Sequence, residues 1–130
     1  MKFPADLQYT KNDEWVRAEA GGAARCGITD YAQEALSDIV YVELPAVGDT
    51  FQQGQAWGSV ESVKAASDVY LPLGGAITAV NEALKDKPEV VNSDPYGQGW
   101  MVKFTIANPA ELQGLMDAAA YQKYCEERSV

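Results

Sequence analysis

Lys64 is the residue of this chain whose setting best suits a covalent attachment point. Ala56-Trp57-Gly58-Ser59-Val60 reads as extended before it, and Ser67-Asp68-Val69-Tyr70-Leu71 reads as extended after it. The intervening Glu61-Ser62-Val63-Lys64-Ala65 is therefore expected to close a hairpin, with the lysine at or beside the tip. An amine there projects away from the sheet and can be reached from several sides. Glu61 and Asp68 flank the turn, three and four residues from Lys64, and are candidates for the surface by which a transferase picks one lysine among several. Ser62, Val63 and Ala65 complete that recognition segment, and the last two leave the amine uncrowded. No neighbour is placed to activate the amine as a nucleophile, which counts against Schiff-base catalysis. An exposed turn lysine is in most proteins only a solvated charge, so these residues alone leave an unmodified interaction module open.

A second cluster, Asp13-Glu14-Trp15, sets two carboxylates beside a large aromatic ring. It could hold a small cation by charge and ring face. The simpler reading is a strand end with a buried tryptophan. Gly97-Gln98-Gly99 lacks the third glycine and the strand-to-helix setting of a dinucleotide site.

Composition narrows the chemistry further. The chain of 130 residues carries 10 Lys plus Arg against 19 Asp plus Glu, a formal charge of −9. That balance argues against nucleic acid, whose phosphates need a basic footprint, and against anionic membrane surfaces. It favours partners with basic surfaces. Histidine is absent, which removes the usual general base and the commonest transition-metal ligand. Cys26 and Cys125 are too far apart for a redox pair or a zinc ribbon and are expected as buried or partly buried reduced thiols; no metal site is expected. Neither a signal peptide nor a membrane-length apolar run is evident, so a cytoplasmic protein is expected.

The elements that must position these residues are short. Gly21-Gly22 joins the extended runs 15–19 and 23–28 as a hairpin, since glycine supplies the positive φ of a tight turn. A short helix follows, with Asp30 as N-cap, Gln33 three residues on, and Ala32, Ala35, Leu36 and Ile39 on one face. Ile39–Leu44 is rich in β-branched and aromatic residues and is closed by Pro45 and Gly48. Ala76–Val80 resumes as a strand, and Lys85–Pro88 and Asn92–Gly97 read as loops. Trp100, Val102, Phe104 and Ile106 alternate with Met101, Lys103 and Thr105, the pattern of a half-buried strand. Asn108 caps a C-terminal helical segment with Pro109 at its first position, and Asp117 caps a second turn leading to Tyr121, Tyr124 and Cys125. At this length a single domain spanning residues 1–130 is expected. The fold class is mainly β, an antiparallel sandwich or flattened barrel with short peripheral helices and a C-terminal helical segment. A strand pair on each side of Lys64 suggests two similar halves meeting at the hairpin.

Taken in order, Glu14-Trp15-Val16, Gly27-Ile28-Thr29-Asp30-Tyr31-Ala32-Gln33, Asp38-Ile39-Val40-Tyr41-Val42-Glu43-Leu44-Pro45, Glu61-Ser62-Val63-Lys64-Ala65, Val80-Asn81-Glu82-Ala83-Leu84 and Asn92-Ser93-Asp94-Pro95-Tyr96-Gly97-Gln98-Gly99-Trp100 resemble the H proteins of the glycine cleavage system over nearly the whole chain. The resemblance implies a lipoyl-domain-like fold and lipoate joined as an amide to Lys64. It implies a non-catalytic carrier. Its arm would take an aminomethyl group from the pyridoxal-phosphate glycine decarboxylase (P protein) to the aminomethyltransferase (T protein), and its reduced dithiol to dihydrolipoyl dehydrogenase (L protein). A lipoate-attaching enzyme is a fourth partner, and a monomer is expected of a shuttle. The resemblance also implies a cleft that shelters the loaded arm, with Glu14 as the residue to hold its cationic amine.

Two departures bear on that cleft. The family often has histidine where Asp13 stands, and some members carry one in the early helix, where this chain has Glu34-Ala35-Leu36. The main alternative is a carrier that relays lipoate to 2-oxo acid dehydrogenase subunits, which needs the same lysine. A biotin carrier fits less well, because biotin hairpins flank the lysine with methionines.

Overall fold

The computed structural model describes residues 1–128. Nine strands run through it: β1 (Gln8–Tyr9), β2 (Glu14–Ala18), β3 (Ala23–Ile28), β4 (Ile39–Glu43), β5 (Thr50–Phe51), β6 (Ala56–Ser62), β7 (Ala66–Tyr70), β8 (Gly75–Val80) and β9 (Val102–Ile106). They form a six-stranded sheet in the order β1-β2-β3-β9-β8-β5 and a three-stranded sheet in the order β4-β6-β7. Every pairing is antiparallel. The two sheets do not close into a barrel, and their unequal size breaks the halves expected about Lys64.

Period-two patterning explains the main core. In β9, Val102 and Phe104 are fully buried while Thr105 between Phe104 and Ile106 is exposed. Val16 and Cys26 from the larger sheet meet Ile39, Val42, Val60 and Val69 from the smaller one. Truncating a buried aromatic such as Phe104 to alanine costs about 3–5 kcal/mol. Both cysteines are buried and neither is in a disulfide, as expected.

Four short helices lie around the sheets: α1 (Asp30–Leu36), α2 (Ala83–Asp86), α3 (Val90–Ser93) and α4 (Ala118–Arg128). The N-cap of α1 is Thr29 rather than Asp30, its hydroxyl accepting from Ala32 N at 3.2 Å. Asp30 instead accepts from Gln33 Nε2 at 2.6 Å. Ile39 belongs to β4, because Ser37 adopts a positive φ of 66° and ends the helix before it. The stretches 85–88 and 92–97 are only partly loop, since α2 and α3 reach into them. Asn108 does cap its segment, which winds as a 3₁₀ helix over Pro109–Gly114. Asp117 accepts from Ala120 N at 2.8 Å at the start of α4.

The last helix packs on a second apolar cluster of Leu7, Tyr9, Trp15, Tyr96, Tyr121 and Cys125. Within it, Tyr9 and Tyr121 stack with centroids 4.7 Å apart and planes 2° from parallel. That stack fastens α4 to the edge of the six-stranded sheet, close to the start of β2.

Candidate functional site

The β6–β7 hairpin holds Lys64 through one hydroxyl. The last register pair is Glu61 with Ala66, which leaves the tip to the next four residues. Ser62 Oγ accepts from Lys64 N at 3.1 Å and from Ala65 N at 2.9 Å, and its own N–H donates to Ala65 O at 2.7 Å. Serine suits this turn because its short side chain reaches the backbone two and three residues on. Val63 N donates to Asp38 O at 3.0 Å, which ties the tip to the entry of β4. Val63, Lys64 and Ala65 are all exposed.

The lysine does not point freely into solvent. Its Nζ donates to Ala35 O at 3.4 Å, in the last turn of α1. Carbonyls there lack helical partners and carry the negative end of the helix dipole. Ala35 also lines a cleft of about 170 Å³, so the amine is held by a residue of the cleft wall. Ala32, Ala35 and Leu36 of α1 form one wall, and Val60, Ser67 and Val69 of the hairpin strands form the other. Asp68 borders the cleft from β7, and Asn12, Asp13, Glu14 and Ile28 complete its lining.

Glu14 is the chemically informative group. It is 2% exposed, and Oε1 accepts from Thr10 Oγ1 at 2.9 Å while Oε2 accepts from Tyr70 N at 3.0 Å. Both donors are neutral. Among the described residues no Lys or Arg makes an ion pair with it. Burial pushes its pKa up from 4.5 to about 7; the Tyr70 and Thr10 hydrogen bonds oppose that rise, and the negative charge of Asp13 adds to it. A buried acid with no cation beside it loses free energy on ionisation, and an ammonium brought into the cleft would recover part of that loss. The arrangement is chemically suited to hold a small cation at the end of an aliphatic chain.

The residues singled out in the sequence divide between two surfaces. Glu14 and Asp68 border the cleft, whereas Glu61 is exposed in register with Tyr41 of β4. Of the two readings of Asp13-Glu14-Trp15, the simpler one holds, a strand end with a buried tryptophan. Trp15 has no exposed surface, and its Nε1 donates to Pro95 O at 2.9 Å. Asp13 turns its carboxylate to Arg128. Of the two carboxylates, Glu14 is the one without an ion pair among the described residues, and it lines both this cleft and a neighbouring cavity that includes Thr10 and Leu71. Ala35, Leu36, Val60 and Ser67 escaped sequence reasoning as cleft residues, because nothing in their local pattern says which element packs opposite.

The chain is similar to proteins of known type along nearly its full length. A family model described as glycine cleavage H-protein matches residues 7–128. The chain is 56% identical over 122 residues to the glycine cleavage system H protein of Halorhodospira halophila, covering 94% of each chain. It is 58% identical over 121 residues to that of Chromobacterium violaceum, covering 93% of this chain and 94% of the relative. Its fold matches the crystal structure of a glycine cleavage system H protein from Mycobacterium marinum with a TM-score of 0.81. That match has 36% identity and covers 98% of this chain and 99% of the other.

Proposed function

Because the chain belongs to the glycine cleavage H-protein family, we propose that it serves as that system's lipoyl carrier, with lipoate amide-linked to Lys64. When attached to Lys64, the dithiolane arm would supply the carrying chemistry, a sulfur able to take up an aminomethyl group and give it back and a dithiol open to reoxidation. The glycine decarboxylase, the aminomethyltransferase and dihydrolipoyl dehydrogenase are the expected partners. The protein's own task is to hold, present and shelter.

The observation that carries this reading is the hydrogen bond from Lys64 to Ala35, a residue that lines the same cleft as Glu14. The residues fit the group. An exposed tip backed by a hydrogen-bonded Ser62 is accessible to an attaching enzyme, and Glu61, Val63 and Ala65 form the surface such an enzyme would read. The walls of Ala32, Leu36, Val60 and Val69 suit an aliphatic chain. Glu14 and Asp68 in the lining suit the ammonium that a loaded arm carries.

Acylation removes the charge of Lys64 but leaves one N–H on Nζ, so the donor to Ala35 O survives while the helix-end attraction for a cation is lost. The arm is thereby weakly held at its root. Weak holding suits a shuttle, since a tethered group kept at high effective concentration needs little affinity to be delivered. The excess of acidic side chains favours encounter with basic partner surfaces at rates that fall with salt. A monomer fits the need to present one arm to several enzymes in turn.

The test is mass spectrometry of protein made in lipoate-supplied cells, followed by glycine decarboxylation–exchange with the purified decarboxylase. The expected result is a lipoyl amide confined to Lys64 and exchange that requires it. An unmodified Lys64 overturns the proposal. A gene deletion that strips lipoate from other proteins would move the role to lipoate relay.

A further inference from the structure

Asp13 and Arg128 lie 115 residues apart and meet beside Glu14. Arg128 Nη1 donates to Asp13 Oδ2 at 3.1 Å, and Nη2 donates to Oδ1, a two-pronged ion pair. Tyr121 adds a third donor to Oδ1 at 2.8 Å, and its hydroxyl is also 2.7 Å from Thr29 Oγ1. The guanidinium is sandwiched by rings, 4.5 Å from the Tyr31 centroid and 4.1 Å from that of Tyr124. Tyr31 belongs to α1, whose next turn walls the cleft. The end of α4 thus grips both the α1 wall and Asp13 of the cleft lining.

The backbone at Asp13 is constrained as well. Its φ is +66°, a conformation that non-glycine residues adopt seldom and that aspartate tolerates better than most. Asp13 N donates to Thr10 O at 3.2 Å, and Asp13 O accepts from Thr29 N at 2.9 Å. Glu14 follows directly, so the direction of its side chain depends on how Asp13 is held.

We propose that Arg128 is a positioning residue of the cleft: it turns the Asp13 carboxylate to itself and offsets part of its charge, leaving Glu14 as the acid that meets the arm's cation. This inference rests on the carrier reading for its consequence, although its core concerns charges already in the folded chain. Without Arg128, the Asp13 carboxylate beside Glu14 would carry a charge that no cation offsets, and a like charge nearby favours the protonated form of its neighbour. A protonated Glu14 holds an ammonium poorly. The other charged or titratable groups near Glu14 are Asp68 and Tyr70 from β7, Cys26 from β3, Tyr9 and Lys11 across a neighbouring cavity, and Tyr121 from α4. Of the groups around it, Arg128 is the one paired with Asp13 by both prongs.

The test uses the full chain without lipoate, labelled at the glutamate carboxyls, with the Glu14 titration followed by NMR. Arg128→Gln is expected to raise the Glu14 midpoint above that of the parent protein. Asp13→Asn is expected to lower it, because the guanidinium is then unopposed. A merely structural staple would let water into the cleft in both variants and move both midpoints down toward the ordinary value. A midpoint in Arg128→Gln that falls or stays fixed therefore overturns the proposal. Should Arg128→Gln fail to fold, Asp13→Asn is titrated at low and high salt. A drop that shrinks with salt is the expected electrostatic one, and a drop that salt leaves unchanged, or no drop, overturns the proposal. These readings involve no lipoate and stand or fall independently of the carrier function. In the loaded carrier, Arg128→Gln is further expected to release the carried amine about 2–5-fold faster near neutral pH, a change converted from a fraction of a pKa unit at the holding acid.

Discussion

The Lys64 ammonium donates a 3.4 Å hydrogen bond to the Ala35 carbonyl, so the exposed hairpin tip is oriented by a helix end 29 residues away. The contact is exposed and contributes little stability. Its consequence is direction: the side chain leaves the tip toward the end of α1, whose Ala32, Ala35 and Leu36 line the cleft.

Replacing Lys64 with alanine is expected to leave the fold intact. Exposed substitutions of this kind stay within about 0.5 kcal/mol, so the urea midpoint should barely move. Lipoylation and glycine decarboxylation–exchange should both vanish. Residual acyl attachment elsewhere on the chain, seen by peptide mass spectrometry, would count against Lys64 as the tether.

Ser62 is the turn's organiser, and Ser62→Ala removes an acceptor used by two backbone N–H groups. Both can turn to water, so the expected cost is about 0.5–1 kcal/mol. The larger effect should be on order at the tip. NMR relaxation is expected to show residues 63–65 moving faster, with slower attachment of lipoate at subsaturating enzyme. Unchanged relaxation would mean that the hydroxyl is not what holds the turn.

Glu14 makes folding stability depend on pH in a stated direction. Its folded-state value of about 7 lies above the ordinary 4.5, so the native protein binds the extra proton between those limits. Stability attributable to this group is therefore fully present below about pH 4.5, falls as pH rises to about 7, and is flat beyond. Glu14→Gln should remove that slope, stabilising the protein by about 1–3 kcal/mol at pH 8 and by little at pH 5. The same variant should lose the loaded amine to water faster. Paired urea titrations at the two pH values read the first effect, and equal shifts at both would refute a buried, uncompensated acid.

Gly58 is required by the approach of β4 to β6. A Cβ there would lie 2.1 Å from the Glu43 carbonyl oxygen, which is backbone and cannot swing aside. Gly58→Ala is expected to cost about 1–3 kcal/mol and to disturb the strand that carries the hairpin. Urea denaturation and lipoylation rate should fall together. A normal midpoint would show that the smaller sheet shifts without penalty.

Asp68→Asn isolates the second carboxylate of the cleft. Asp68 is exposed, so folding should be unaffected, with a change within about 0.5 kcal/mol. The loaded arm should be held less well, though less affected than by loss of Glu14. If attachment slows and arm retention does not change, Asp68 belongs to the surface read by the attaching enzyme instead.

The sequence by itself determined what is local. The alternation of Val102, Phe104 and Ile106, the paired Gly21-Gly22 turn and the two extended runs about Lys64 each encode their geometry within a few residues, through side-chain period or permitted φ. Family likeness was legible for the same reason, as ordered short segments. The cap of α1 was misplaced by one residue, since Thr29 and Asp30 are both competent caps and only the observed turn selects the hydroxyl. The cleft was decided by tertiary structure alone. It exists because α1 packs against β6 and β7, and because β2 brings Glu14 beneath them, contacts made by hydrophobic burial that carries no local signature. The same holds for Asp13: beside Glu14 in sequence it reads as a second acid for the site, and only the docking of α4 gives it to Arg128.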